Sequence, residues 1–134
     1  YTNAAVKETK TLLMENCLLA EAIEADVLTY EPREKFDAVY EQTCLCALDP
    51  DHWITYAEQL ARWIRPGGSL LILLMQVHRP GAHKGLKQGP PFHCDINAMY
   101  ALFNTKNWVW PEKLPTIVPH PSGWHELALC LVRK

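Results

Sequence analysis

The chain has no long hydrophobic run, no run of basic residues and no CxxC cysteine pair. The longest apolar stretch, Leu70 to Met75 with its neighbours, is too short to cross a bilayer, and no charged, apolar and small-residue signal pattern opens the chain. A soluble, cytoplasmic protein is expected. The 13 Lys and Arg intermix with 15 Asp and Glu for a formal net charge of −2, which leaves no footprint for nucleic acid or an anionic membrane and makes small-molecule chemistry the default. Cys17, Cys44, Cys46, Cys94 and Cys130 form an odd set without a CxxC pair, a poor disulfide framework, and Cys17 and Cys130 sit inside apolar patterns. Cys44 and Cys46, two apart, share a face on a strand or converge in a turn, and read as small core residues or pocket lining. His78, His83, His93, Cys94 and Asp95 are metal-ligand types, but they lack the tight paired spacings of structural zinc sites, so no metal is assigned.

What is present suffices for one core: 49% of the 134 residues are apolar and 21% charged. Between Ala4 and Cys17, Ala5, Val6, Thr9, Leu12 and Leu13 recur at three- and four-residue steps with Asn3 placed as a cap, which predicts a helix. Ala22 to Leu28 reads as a short strand running into a loop, and Phe36 to Tyr40 as a second. Asp49-Pro50-Asp51 is a helix start, because Asp49 can cap free amides and Pro50 suits the first turn. Trp53, Tyr56, Ala57, Leu60, Ala61 and Ile64 then form an apolar stripe of helical period that ends at Pro66-Gly67-Gly68. Ser69 to Met75 is apolar after its first residue, as a strand covered on both faces would be. The alternation predicts an α/β core with parallel strands near 36–40 and 69–75 flanked by a helix over about 50–65.

Residues 76–94 change character, with Gly, Pro, His and Lys in a long irregular connection that is expected to be a flexible active-site loop. Asp95 is placed to cap a short helix reaching about Asn104. Trp108 to Ile117 and Trp124 to Val132 read as two antiparallel strands, with Pro111 and Pro115 putting the first at an edge or making it irregular.

Three stretches carry a resemblance. Lys35 to Leu48 (KFDAVYEQTCLCAL), Leu60 to Leu70 (LARWIRPGGSL) and Gly89-Pro90-Pro91-Phe92, with the closing His120 to Glu126, together resemble the thiopurine S-methyltransferase family, which includes the halide and thiol methyltransferases. The first is similar to that family's fourth strand and following loop, the second to its turn into strand five, and the third to the loop that covers its active site. The resemblance implies a Rossmann-like class I methyltransferase fold with an antiparallel last strand, and transfer of a methyl group from S-adenosylmethionine (SAM) to a small soft nucleophile. It implies that Asp26 and Val27 meet the adenine, that Glu41 faces the methionine ammonium or the substrate, that Gln42, Thr43 and Cys44 line the cofactor side, and that Pro90, Pro91 and Phe92 cover the acceptor. Gln42 stands where relatives often carry Arg or Tyr, and Phe92 where they carry Tyr.

The resemblance also predicts a partial domain over residues 1–134, corresponding to strands three to seven. The glycine-rich GxGxG turn and the acidic residue after strand two, which hold the methionine and ribose, have no counterpart here. In the family's order 3-2-1-4-5-7-6 the absent pair would leave a gap beside the strand near Val39. That gap would be filled by a homodimer or a complementing N-terminal segment, and SAM binding by a lone chain should be weaker by about two to three orders of magnitude. The competing expectation is a non-catalytic remnant of this fold that pairs with itself or a partner chain.

Overall fold

The computed structural model describes residues 3–84 and 86–134, without the side chain of His83. The chain forms two compact units, one reaching Glu31 and one from Pro32 to Lys134.

In the first unit α1 spans Asn3–Glu15, so Asn3 is inside the helix and does not cap it from outside. The helix closes where Cys17 takes the left-handed conformation (φ 53°) and the Leu18 amide donates to Leu13 O at 2.9 Å. The strand expected over Ala22 to Leu28 is not formed. A strand needs a partner for its amides, and no described segment pairs with this one; Asp26 satisfies the chain locally instead. Its Oδ1 accepts from the Leu28 amide at 2.9 Å, and its carbonyl accepts from the amides of Thr29 and Tyr30.

The second unit is built on a mixed sheet. β1 (Phe36–Gln42) lies parallel to β2 (Ile64–Gln76), which pairs antiparallel with β5 (His125–Arg133). β3 (Trp108–Val109) and β4 (Thr116–Pro119) pair with opposite ends of β5, and the order is β1-β2-β5-β3 with β4 also on β5. The parallel pair expected from the sequence is therefore present, in register from Ala38↔Ser69 to Gln42↔Leu73. The single strand expected over Trp108 to Ile117 is two short ones, because Pro111 and Pro115 cannot donate to a ladder. Before Ser69 the register shifts, and Gly68 packs so closely that a Cβ there would lie 2.7 Å from Asp37 O.

Two of the helices in this unit start where the sequence placed caps. Asp49 Oδ1 accepts from the Asp51 amide in the 3₁₀ turn Pro50–His52 that leads into α3 (Trp53–Trp63). Asp95 Oδ1 accepts from the amides of Asn97 and Ala98 at the start of α4 (Ile96–Leu102). The α3 stripe of Tyr56, Ala57, Leu60 and Ala61 is buried, as are Leu70, Ile72 and Leu74 of β2 and Leu129 and Leu131 of β5. Each fully buried Leu or Ile contributes about 1.5–3 kcal/mol. The other face of the sheet is barer: Tyr40, Leu71 and Cys130 form one cross-strand row, and all three are exposed.

Candidate functional site

Ligands of open α/β sheets bind outside the carboxyl ends of the strands. Here β1 ends at Gln42, β2 ends at Gln76, and the antiparallel β5 begins at His125 beside Gln76. Glu41 is 2% exposed; its Oε1 accepts from the Leu45 amide at 2.7 Å, which ties it to the start of the short helix α2 (Cys44–Ala47), while its Oε2 has no partner. Burial pushes this carboxyl up from 4.5 to about 7, against the Leu45 and Cys44 amides, which pull it down; the nearby Glu126 adds to the rise. Thr43 stands before α2 in the left-handed conformation (φ 65°) and donates from Oγ1 to Gln42 O at 2.7 Å.

Gln42 links two strands. Its Oε1 accepts from Tyr40 OH at 2.6 Å, and its Nε2 donates to Glu126 Oε2 on β5 at 2.9 Å. Glu126 is 1% exposed, and its Oε1 has no partner. Among the described residues, Glu41 Oε2 and Glu126 Oε1 are the buried side-chain polar atoms left without a hydrogen bond. Glu126 was not singled out in the sequence. The signal available was one acid at the head of the apolar run Leu127 to Val132, and a strand-end glutamate is ordinarily solvated. A buried carboxylate oxygen without a partner is costly until a proton or a ligand's donor meets it. A cationic, amine-bearing ligand such as SAM fits that need.

Three of the thiols do not compete as nucleophiles. Burial pushes Cys44 up, Cys46 up to about 12 and Cys94 further still, so they stay protonated near neutrality. Cys46 is buried and Cys44 half-buried, as a pocket-lining or core reading requires, whereas Cys17 and Cys130, read as parts of apolar patterns, are exposed; all five are free thiols.

The proline loop lies against this region. The Phe92 amide donates to Cys46 O of α2 at 2.7 Å, and the carbonyls of Pro90 and Pro91 accept from Arg79. Phe92, Trp53, Pro50, Leu86 and Ala98 are among the residues lining a cavity of about 440 Å³, the size of a small-molecule site. Asp26 and Val27 belong to the first unit, where the Asp26 carboxylate holds a turn. Of the metal-ligand types, His93 Nδ1 accepts from the Val77 amide, His78 pairs with His125, Asp95 caps α4, and His83 lies outside the described side chains. No group of three ligating residues occurs among the described ones. Nor is any described helix long and apolar enough to cross a membrane.

This sheet, with its parallel pair and antiparallel last strand, is shared with class I SAM-dependent methyltransferases of solved structure. TehB from Haemophilus influenzae superposes with a TM-score of 0.71 over 99% of this chain and 48% of its own, at 12% identity. The 1,6-didemethyltoxoflavin-N1-methyltransferase of Burkholderia thailandensis, solved with S-adenosylhomocysteine bound, gives 0.68 over 95% and 56%, at 18% identity. Residues 4–115 match the thiopurine S-methyltransferase family, and the chain belongs to it. Thiocyanate methyltransferase 1 of Arabidopsis thaliana is 28% identical over 107 residues, covering 78% of this chain and 44% of that protein. A protein named probable thiol methyltransferase 2, also from Arabidopsis thaliana, is 29% identical over 72 residues, covering 54% and 29%. The chain thus spans less than half the length of these relatives.

Proposed function

We propose that the protein takes part in transfer of a methyl group from SAM to a small soft nucleophile, a thiol, thiopurine, halide or metalloid, in the cytoplasm. The observation that carries this reading is the pair of buried carboxylates, Glu41 and Glu126, each with one unpartnered oxygen at the carboxyl end of the sheet. Family membership and relatives named for thiol and thiocyanate methylation support it. Glu41, Gln42, Thr43 and Cys44 would hold the cofactor from the β1 side. Pro90, Pro91 and Phe92 would wall off the acceptor. SAM supplies an electrophilic methyl group, so the chain's own tasks are to orient the two reactants and to exclude water. No acid/base dyad is assigned. Phe92 gives an aromatic wall without a hydroxyl, which suits a soft, apolar nucleophile.

Calorimetric titration with S-adenosylhomocysteine tests the cofactor half. Glu41→Gln, which keeps an acceptor for the Leu45 amide but removes the charge, should weaken binding about tenfold, the equivalent of one charged hydrogen bond. Equal affinity in the two proteins would overturn the assignment of Glu41. A second reading, a methyltransferase-fold unit that acts by pairing with another copy or a complementing segment, is favoured by the exposed row of Tyr40, Leu71 and Cys130.

A further inference from the structure

The stretch Gly89-Pro90-Pro91 has little backbone means of holding itself in place. Its two prolines have no N–H, so it offers its neighbours mainly carbonyls. The Arg79 guanidinium meets three such groups here: Nη1 donates to Gln88 O at 3.2 Å and Pro91 O at 3.4 Å, and Nη2 to Pro90 O at 3.5 Å. A guanidinium spreads five N–H donors across one plane and can gather several carbonyls at once, which a lysine's compact ammonium does poorly.

Arg79 is itself held, lying over the Trp124 ring 5.0 Å from its centroid. One residue back in the chain, His78 meets the residue after Trp124: His78 Nε2 and His125 Nδ1 are 3.1 Å apart, with ring centroids at 5.1 Å. Two successive residues at the exit of β2 are thus joined to two successive residues at the start of β5. The clasp ends on the proline loop, whose Phe92 is fixed to Cys46 through its amide and is among the residues that line the cavity.

We propose that Arg79 is the positioning residue of the acceptor loop: clamped on Trp124, it gathers the carbonyls of Gln88, Pro90 and Pro91, holds Phe92 against Cys46, and thereby sets affinity for the methyl acceptor without touching it. This rests on the reading of Pro90 to Phe92 as the acceptor's wall and adds the side chain that keeps the wall in place.

Hydrogen exchange of the full chain reports on it without cofactor or turnover. In Arg79→Met the Phe92 amide should exchange about tenfold faster or more, while the Cys94 amide, bonded to Met75 O, keeps its rate. Arg79→Lys, which retains a cation for Trp124 without the planar fork, should fall between. Binding of thiophenol, a small soft thiol used as the acceptor probe, should weaken in step with Phe92 exchange, and S-adenosylhomocysteine binding should not change. An unchanged Phe92 rate, or equal acceleration at Phe92 and Cys94, overturns the proposal. Faster exchange at Phe92 with thiophenol affinity unmoved, or no thiophenol binding by the unsubstituted chain, overturns it together with the acceptor-wall reading. Failure of the unsubstituted chain to bind S-adenosylhomocysteine counts against the cofactor reading alone.

Discussion

Glu41 makes stability depend on pH in a direction opposite to most carboxylates. Unfolded, it titrates at its ordinary 4.5; folded, burial raises it to about 7. Below 4.5 both states hold the proton, and the contribution is fully present. As pH rises towards 7 the unfolded chain sheds the proton while the fold keeps it, so stability falls, and above the folded value the loss is complete. The size of the loss is about 3 kcal/mol. Urea midpoints followed across this window should decline in the unsubstituted protein, and the decline should largely vanish in Glu41→Gln. Glu41 was legible in the sequence through the FDAVYEQTC stretch that carries the family resemblance. Glu126 was not, because its place in the site is set by contacts distant in the chain, such as the hydrogen bond from Gln42, 84 positions away.

At the scale of single elements, the legible features were those fixed by neighbours in the chain. Asp49 and Asp95 announce their helices because a cap acts within three residues, and both bond as capping predicts. Asp95→Ala should therefore cost about 1 kcal/mol and lower the thermal midpoint. Strands were legible only where an apolar run had a partner to meet. Leu70 to Met75 found β1 and β5, whereas Ala22 to Leu28 ends in a turn around Asp26. Between Trp108 and Ile117 the prolines announced irregularity, but only the pairing with β5 shows where the run breaks. Leu131 of β5 lies opposite Leu70 of β2 and is 0% exposed. Leu131→Ala should destabilise by about 3 kcal/mol, the usual cost of a core cavity, measurable by chemical denaturation.

For the whole molecule, the two faces of the sheet set contrasting expectations. One face is covered by helices and closes the core; the other presents Tyr40, 62% exposed, and Leu71, 42% exposed, on neighbouring strands, and β1 has a ladder partner on one side alone among the described residues. Apolar rows beside an unpaired strand edge favour association. Sedimentation velocity over a concentration series should accordingly show the chain self-associating, and Leu71→Lys should shift it towards the monomer. A concentration-independent monomer would remove the pairing reading.

Cys130 stands at the end of that same exposed row, opposite Leu71. Its sulfur makes the bare face chemically addressable: whatever covers the row, be it a second copy or another segment, must also screen this thiol from a bulky alkylating reagent. The rate at which Cys130 is labelled is therefore a footprint of occupancy. Labelling that slows with protein concentration would locate the contact on this face, and oxidation could then capture the contact covalently if two copies meet there thiol to thiol.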